Sequence, residues 1–376
     1  MHNFLAIDAG GTSTRAVLLD SSGQCLGYGT AGGGNPVSRG FDPALACLLE
    51  ASQKAIGDAL KPIAQVLIAM AGASLELPMH LFHGGFAGLG LTGKVMIESD
   101  LLATFYSGTY HDDGVALIAG TGAVGARIMA GRLVTVADGT GWLLGDKGSG
   151  FWLGREVARA VASALDGRGP ATALTGLVLA ELEIPLDVDD RVQGRLRAQQ
   201  QLIAKVYERT AIEISRFAPL VFQAQDDAVA RDIIERAADG LAQTLMAVSR
   251  DSGAGRDGAG TVGGGPARQA AGAGLDAAAR PLVFGGSVLT KGGTVASAVL
   301  ARLASAGTPA NPGIPRTPGG TSPDPAARVP EGPTPILVED GVVGAAVMVL
   351  KRSGIEVEEA VLARIQKSLA ALRGGN

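Results

Sequence analysis

Two short stretches place glycines and a threonine hydroxyl between β-prone segments, and both are candidates for binding phosphate. The first is IDAGGTST, centred on Gly10, Gly11 and Thr12, and the second is IAGTGAVG, centred on Thr121 and Gly122. Glycine permits a tight turn and close approach to a ligand, and backbone amides with a hydroxyl can donate to phosphate oxygens. An ordinary hairpin explains either turn alone. Their repetition at matching places in two halves favours two hairpins that grip one polyphosphate from both sides.

Two familiar nucleotide-binding patterns do not account for these turns. The pattern G-x-x-x-x-G-K-[ST] is absent from the sequence. Residues 120–125, GTGAVG, match G-x-G-x-x-G literally, but the segment ARIMAGRLV that follows reads as a hairpin rather than a helix. A dinucleotide fingerprint requires a helix at that point, so this interpretation is disfavoured. We therefore expect phosphate to be held between strands rather than at a helix N-terminus.

Three polar residues stand where they could bind or activate a hydroxyl group. Asp100 ends a predicted strand and begins a helix, where α/β folds place ligand-facing groups, and it could accept a proton from an attacking hydroxyl. Asp146, in a glycine-flanked turn, could accept from two neighbouring hydroxyls, and Asn35, after three glycines, can both donate and accept. A helix N-cap explains Asp100 or Asp146 equally simply, and a loop asparagine explains Asn35. Trp142 and Trp152 could stack on a sugar, although core packing is the simpler interpretation.

The predicted elements repeat one order, three strands followed by alternating helices and strands, so we expect two α/β lobes. The second copy begins at Gly114 and is enlarged by helices. In the first copy Asp42 and Pro43 predict the N-cap and first residue of a helix over 42–60. The other predicted helices cover residues 78–87, 148–165, 172–181, 202–217, 226–250 and 355–372.

Two segments have compositions unsuited to a packed core. Residues 252–280 are rich in glycine and alanine, and residues 307–335 are rich in proline, glycine, serine and threonine. Neither can bury enough apolar surface to offset its ordering entropy, so we expect two flexible surface insertions in the second lobe.

Composition narrows the class of protein. With 32 basic and 36 acidic side chains the net charge is −4, which disfavours nucleic acid or an anionic membrane as partner. Two cysteines and four histidines without an HExxH pattern disfavour a disulfide framework and a cysteine-rich or zincin metal site. No apolar run approaches the length of a membrane span, and the N-terminus lacks a signal-peptide pattern. We expect a cytoplasmic protein.

The motifs together resemble the sugar kinase/Hsp70/actin superfamily, and within it the BadF/BadG-type ATPases and N-acetylglucosamine kinase. The matching pieces are AIDAGGTSTRAVL, GGGN, ESD, LIAGTGA, GTGWLLGDKGSGFWLGREV and VFGGSV. The resemblance implies two ribonuclease-H-like (actin-like ATPase) domains, each a mixed five-stranded sheet flanked by helices, with a cleft between them. It implies an N-terminal lobe over residues 1–112, a C-terminal lobe over 113–354 and a C-terminal helix over 355–376.

The same resemblance implies a role for each matched position. Asp8 would hold Mg²⁺ through water, and Asp100 would be the catalytic base. Sugar contacts would come from Asn35, Asp100, Gly139 and Asp146. The phosphates and adenosine of ATP would be bound by Gly10, Gly11, Thr12, Thr121, Gly122, Ala218, Gly285 and Gly286.

The implied function is ATP-dependent phosphorylation of an amino sugar, N-acetylglucosamine or glucosamine, at the 6-hydroxyl, by a homodimer. Where N-acetylglucosamine kinase has a serine after its second Thr-Gly, this chain has Ala123, so a hydroxyl contact is lost and glucose or another amino sugar stays open. A BadF/BadG-type ATPase that activates a partner enzyme is the alternative, but Cys25 and Cys47 lack the spacing of its iron–sulfur ligands. A non-catalytic nucleotide-binding regulator is a third.

Overall fold

The described strands form two five-stranded mixed sheets with the same strand order. The computed structural model describes residues 2–57, 62–73, 77–249, 280–306 and 334–374. The first sheet has the order β3-β2-β1-β4-β5. Its strands are β1 (Asn3–Ala9), β2 (Ser13–Asp20), β3 (Cys25–Gly32), β4 (Ile63–Met70) and β5 (Leu91–Ser99). The strands β1, β2 and β3 pair antiparallel, whereas β4 and β5 continue the sheet parallel to β1.

The second sheet repeats this plan with longer connections. It has the order β12-β11-β6-β7-β8, and β9 with β10 forms a separate two-stranded hairpin. The strands are β6 (Gly114–Ala119), β7 (Ala123–Met129), β8 (Arg132–Asp138), β9 (Arg191–Val192), β10 (Arg195–Leu196), β11 (Leu282–Gly285) and β12 (Ile336–Val338). The predicted fold class, two lobes that each contain a mixed five-stranded sheet flanked by helices, is confirmed.

Helices cover both sheets and fill the space between them. Those of the first half are α1 (Pro36–Arg39), α2 (Phe41–Ile56), α3 (Met79–Ala87) and α4 (Asp100–Gly108). The next group is α5 (Gly150–Leu165), α6 (Leu174–Glu181), α7 (Arg197–Tyr207), α8 (Ala211–Ile214), α9 (Ala218–Gln223) and α10 (Ala228–Ser249). The last are α11 (Ser287–Thr290), α12 (Thr294–Ala306), α13 (Val342–Arg352) and α14 (Glu359–Gly374).

Two predicted helices differ most from the observed ones, and the helix predicted over 355–372 begins only at Glu359. The predicted N-cap of α2 at Asp42 is wrong, because the cap is Gly40 and Asp42 lies in the first turn. The helix ends at Ile56, before Gly57 with its positive φ of 68°, and residues 58–61 lie outside the described residues. The single helix predicted over 202–217 is instead α7, α8 and a 3₁₀ turn at Ser215–Phe217. The predicted insertions fall almost entirely outside the described residues.

A central apolar core joins the two sheets through α4 and α13. A Cβ at Gly344 would overlap the carbonyl oxygen of Ala103, so glycine allows these helices to touch backbone to backbone. The Gly344 N–H donates to the Ser107 hydroxyl at 2.8 Å. The C-terminal helix α14 packs on β3 of the first sheet. The domain boundaries at 112/113 and 354/355 stay predictions.

Candidate active site

The first glycine turn joins β1 to β2. The Gly10 N–H donates to the Ser13 carbonyl oxygen at 3.0 Å, which closes the turn. The amides of Gly11 and Thr12 donate no hydrogen bond to any described residue, and Thr12 is exposed. The turn therefore presents backbone donors suited to an anionic ligand.

The second glycine turn, between β6 and β7, also has three residues, but the hydrogen bond that closes it is shorter in sequence. The Gly120 N–H donates to the Gly122 carbonyl oxygen at 2.9 Å. The start of α5 holds the turn, because the amides of Gly150 and Phe151 donate to the carbonyls of Gly120 and Thr121 at 2.7 and 3.1 Å. Within the described residues the amides of Thr121 and Gly122 donate to no partner. The N-terminal amides of α5 are thus engaged with the turn, and the turn itself carries the donors.

Both turns lie on the side of the molecule where α4 begins. Asp8, at the end of β1, accepts from the Gly341 N–H at 3.1 Å, and a Cβ at Gly341 would lie 3.3 Å from that of Ala103 in α4. Gly285 packs against the next residue of α4 and pairs with Ile118 at the end of β6. One continuous set of contacts therefore joins the first turn to the second across α4.

Asp8 is a half-buried carboxylate that lies near the charges of Asp340 and Asp100. Its Oδ2 accepts from the Gly341 amide and lies 3.7 Å from Nη1 of Arg15. Burial, followed by the nearby charge of Asp340, raises the pKa of Asp8 to about 6, with a smaller contribution from Asp100. The Arg15 guanidinium and the Gly341 N–H act in the opposite direction. The raised pKa marks a place where a further cation would be stabilising.

The chemistry of these oxygen donors fits magnesium held mainly by water and phosphate. Magnesium prefers hard oxygen ligands and keeps several waters at phosphate-transfer sites. Among the described residues, no three aspartate, glutamate, histidine or cysteine side chains are grouped to hold a metal ion directly. Asp8, in β1 next to the first turn, supplies one carboxylate that would suit a contact through water.

Asp340 is a site residue that the sequence interpretation missed. Its Oδ2 lies 3.4 Å from Nε of Arg15, and Nη2 of Arg373 in α14 donates to both its oxygens at 2.9 and 3.1 Å. Its position supplied a signal, since Asp340 follows β12 and precedes α13, as Asp100 follows β5 and begins α4. The C-terminal helix thus contacts the carboxylate cluster around Asp8.

Asp100 is the first residue of α4, and the helix is capped by its neighbour. The Ser99 hydroxyl accepts from the Leu101 N–H at 3.1 Å, so the simple N-cap explanation belongs to Ser99. Burial raises the pKa of Asp100, although hydrogen bonds from the Leu101 and Asp100 amides and from Ser99 oppose the rise. A desolvated carboxylate at this place is a stronger proton acceptor than one in water.

Asp146 contacts the second turn through its carboxylate. Its Oδ1 accepts from the Ala123 N–H at 3.0 Å, and a Cβ at Gly122 would lie 3.1 Å from both carboxylate oxygens. Its own N–H donates to Oδ1 of Asp138 at 2.8 Å, an aspartate that sequence reasoning overlooked in the ADG that ends β8. Burial raises the pKa of Asp146, Asp138 adds to the rise, and the Ala123 amide opposes it. The cap of α5 is Ser149, so Asp146 does not cap that helix.

Asn35 lies between the first turn and the end of β4. Its side chain is buried, and Nδ2 donates to the Ala71 carbonyl at 3.3 Å. The preceding residue, Gly34, donates its N–H to the Gly10 carbonyl at 3.1 Å. The GGGN segment is therefore packed directly on the first turn.

A cavity of about 220 Å³ opens beside the second turn. Its lining includes Thr121, Ala218, Phe222, Val288 and Lys291. Its walls are apolar where α9 and α11 contribute, which suits the flat face of a nucleobase. Of the residues predicted for the nucleotide, Thr121 and Ala218 line this cavity.

Gly286 fixes the close approach of β11 to the second turn. Its φ is +85°, and a Cβ there would overlap the Ala119 carbonyl and lie 2.7 Å from the Gly120 nitrogen. Only glycine satisfies both the left-handed conformation and the lack of space. The preceding residue, Gly285, also has no room for a side chain, because a Cβ there would lie 2.5 Å from the Thr104 side chain.

The loop from Gly139 to Asp146 forms the remaining wall. Gly139 is exposed, has a φ of +69°, and donates its N–H to the Ala123 carbonyl at 2.9 Å. Core packing is the wrong interpretation for Trp142, which is 51% exposed and meets Phe151 edge to face at 5.6 Å. Trp152 is buried in the core, as expected. The roles predicted for the site residues stay predictions, although the structure gathers them around the two turns.

Comparison with known proteins agrees with this geometry. The model of the BadF/BadG/BcrA/BcrD ATPase family matches residues 5–276. An N-acetyl-D-glucosamine kinase of Dictyostelium discoideum is 30% identical over 267 residues, 66% of this chain and 80% of that protein. A glucosamine kinase of Vibrio cholerae is 28% identical over 192 residues, 50% of this chain and 64% of that protein.

A solved structure shares the fold. It comes from Chromobacterium violaceum and is described as a candidate N-acetylglucosamine kinase. The TM-score is 0.58 at 21% identity, and the match covers 93% of this chain and 99% of the other. At this identity the likeness supports the fold alone. In the described part of the chain, no helix has both the length and the apolar character needed to cross a membrane.

Proposed function

Because the chain belongs to the BadF/BadG/BcrA/BcrD ATPase family, we propose that it is an ATP-dependent amino-sugar kinase. The proposed acceptor is N-acetylglucosamine or glucosamine, and the proposed position is the 6-hydroxyl. Its relatives include an N-acetyl-D-glucosamine kinase and a glucosamine kinase. Both sugars suit a site that offers carboxylate and amide groups to hydroxyls.

The observation that carries the proposal is the position of Asp100 at the start of α4. This helix touches both Gly341, which binds Asp8, and Gly285, which lies beside the second turn. A base at its first residue would face the gap between the two phosphate turns. Burial raises the pKa of Asp100, which strengthens it as a proton acceptor.

In the proposed reaction the sugar oxygen attacks the γ-phosphorus while Asp100 takes the hydroxyl proton. The bond from the γ-phosphorus to the bridging oxygen breaks, and ADP leaves with that oxygen. Amides of the two turns neutralise charge on the phosphate oxygens, and no covalent protein intermediate is required. Magnesium, when bound near Asp8, supplies further charge neutralisation through water.

Binding is divided among the remaining residues. We assign Asn35, Gly139 and Asp146 to the sugar, with Asp146 also supporting the Ala123 amide. We assign the first turn, the second turn, Ala218 and the Gly285–Gly286 pair to ATP. The Ala123 N–H is already bound to Asp146, so a sugar contact at Ala123 would require that bond to be shared.

Activation of a partner enzyme is a less suitable function for this chain. The cysteines of such activators hold an iron–sulfur cluster across a dimer. Here Cys25 is buried, its Sγ lies 3.6 Å from the Ile365 carbonyl, and burial raises the pKa of its thiol to about 11. A thiol in this environment is a poor cluster ligand.

A panel of sugars tests the proposal. ADP formation is measured with N-acetylglucosamine, glucosamine, N-acetylmuramic acid, glucose and no sugar, and the phosphorylated carbon is located by NMR. The proposal expects an amino sugar to raise ADP formation strongly and to become a 6-phosphate. ATP hydrolysis that no sugar stimulates would favour the activator function, and sugar-stimulated ADP release without product would favour a regulator. We also propose a homodimer, which light scattering on the purified protein tests.

A further inference from the structure

We propose that Arg39 binds the terminal phosphoryl group of the nucleotide; this inference rests on the proposed kinase function. Arg39 is the last residue of the one-turn helix α1, which begins directly after Asn35. Its Nε donates to the carbonyl oxygen of Gly11, in the first turn, at 3.2 Å. The side chain therefore lies along the turn to which the phosphates are assigned.

That single hydrogen bond orients the guanidinium and leaves its forked end available. Within the described residues, Nη1 and Nη2 of Arg39 have no hydrogen bond or ion pair. A planar guanidinium held through Nε can present two parallel N–H groups to a phosphate. Arg39 is exposed, so the remaining nitrogens keep their hydration until a ligand arrives.

Gly33 provides the space that lets Arg39 lie on the turn. A Cβ at Gly33 would overlap the Gly11 carbonyl and lie 2.8 Å from Nε of Arg39. Any larger residue would displace either the turn or the arginine. The absence of a side chain at Gly33 thus allows the Arg39 guanidinium to lie against the first turn.

Arg39 also contacts residues assigned to each of the two ligands of the proposed reaction, Gly11 and Asn35. The Asn35 carbonyl accepts from the Arg39 N–H at 3.2 Å, so the sugar residue and the arginine share one turn of backbone. Gly11 belongs to the phosphate side and Asn35 to the sugar side. In the proposed reaction the phosphoryl group moves from one side to the other, so it would pass close to the Arg39 side chain.

The charge balance around the turns supports the assignment. Asp8, Asp100 and Asp146 make the cleft acidic, whereas the terminal phosphate carries further negative charge that needs a cation. Arg15 is already shared between Asp8 and Asp340 at 3.7 and 3.4 Å. That engagement leaves Arg39 as the better placed cation beside the first turn.

Among the described residues, two lysines near the site, Lys147 and Lys291, lie away from the first turn. The stem of Lys147 packs against α10, where a Cβ at Gly240 would lie 2.6 Å from its Cγ. Lys291 lines the cavity beside the second turn, on the adenosine side. Neither is beside the first turn, so Arg39 is suited to the terminal phosphoryl group and Lys291 to the other end of the nucleotide.

The test compares nucleotide affinities of Arg39→Ala, Arg39→Lys and the control Arg132→Ala. Arg132 is exposed at the far end of the β7–β8 hairpin, away from the turn at 120–122. Titration calorimetry with Mg²⁺ measures binding of ADP and of the non-hydrolysable analogue AMP-PNP, with no sugar present. Thermal melts establish that each variant is folded.

For Arg39→Ala we expect the Kd of AMP-PNP to rise about 10- to 100-fold, the range of one charge-assisted contact, while that of ADP changes by less than about 2-fold. Arg39→Lys should recover part of the loss, because it keeps the charge but not the fork. Equal losses for both nucleotides, or no loss for either, would overturn the inference. In a separate titration with sugar and no nucleotide, a selective loss of sugar affinity in Arg39→Ala would overturn it too, and would indicate an acidic group on the sugar as the partner of Arg39. The nucleotide titration contains no sugar, so it tests Arg39 independently of the kinase function. If the affinities show the expected dependence on Arg39 but the wild type phosphorylates no sugar, only the proposed kinase function is wrong.

Discussion

The buried carboxylate of Asp146 accepts a hydrogen bond from the backbone N–H of Ala123, with 3.0 Å between Oδ1 and N. Ala123 is the first residue of β7 and is only 1% exposed, so its amide has no access to water. One side chain from the loop after β8 thus secures the second phosphate turn. The same carboxylate is assigned to the sugar, which makes its structural and binding roles separable by mutation.

Asp146→Ala should destabilise the protein and weaken sugar binding, whereas Asp146→Asn should weaken sugar binding with a smaller loss of stability. Alanine leaves the buried Ala123 amide without an acceptor, which costs about 1–3 kcal/mol, but the asparagine amide oxygen can still accept. Denaturant unfolding measures the stability and the KM for sugar measures binding. Equal stability of the two variants would contradict the structural role of this hydrogen bond.

Asp100→Asn should lower kcat by about 10²–10⁴-fold with little change in sugar affinity, because the amide can hydrogen-bond the sugar but cannot take its proton. Steady-state kinetics with the preferred sugar and equilibrium sugar binding measure the two effects. Ser99→Ala is the matched control: it removes the cap of α4 beside the base and should cost about 1 kcal/mol of stability without a comparable loss of kcat. A variant Asp100→Asn with near-normal turnover would exclude this residue as the base.

The acid side of the pH profile should also report Asp100. A base acts when deprotonated, so activity falls as the pH drops through its folded pKa. Burial raises the pKa of Asp100 above its ordinary 3.8, so the fall in activity on the acid side should occur at a higher pH than for an ordinary aspartate. The measurement is kcat/KM against pH for wild type and for Asp100→Glu, which keeps a carboxylate. An acid limb at the ordinary aspartate pKa would contradict the desolvated environment.

The sheets and the glycine turns could be predicted because their signals are local. Three successive β-prone segments with tight turns, repeated from Gly114, specify the shared strand order, and the composition of each turn specifies its conformation. The split of the predicted 202–217 helix was not predictable from apolar content. Its cause is local as well, since Thr210 and Glu213 form a capping box that starts a new helix.

The carboxylate cluster around Asp8 could not be predicted in full, because it joins segments distant in the chain. Gly341 donates to Asp8 across more than three hundred residues, and Arg373 reaches Asp340 from the C-terminal helix. No spacing rule connects these positions. Arg39 was overlooked for a different reason, since a single arginine in a loop resembles a solvated side chain until its contact with Gly11 is seen.

Ligand-free stability should fall as the pH rises from about 4 to about 6, and Asp8→Asn should remove much of that fall. The folded pKa of Asp8, about 6, exceeds the ordinary 3.8, so the folded state binds the proton more tightly and loses stability as the carboxyl ionises. A pKa shift of this size corresponds to a loss of at most about 3 kcal/mol in the free energy of unfolding. The recovery in Asp8→Asn is smaller, because the variant also loses the ion pair with Arg15. Denaturant unfolding at pH 4.5 and pH 7 measures the effect, with Asp226→Asn on the surface as control. A wild type whose stability rises over this range, with the variant parallel to it, would contradict the prediction.

Gly286→Ala should disrupt nucleotide binding, and Gly292→Ala is its matched control. Both glycines have a positive φ, +85° and +75°, so alanine is strained at each, by about 1–3 kcal/mol. They differ in space: the Cβ at Gly286 would overlap the Ala119 carbonyl beside the second turn, whereas nothing lies within 4 Å of the Cβ position at Gly292. Thermal melts and AMP-PNP titrations on both variants separate backbone strain from displacement of the turn. We expect backbone strain in both but a large loss of nucleotide affinity in Gly286→Ala alone. Equal affinity in the two variants would mean that the close approach of β11 to the second turn does not shape the nucleotide site.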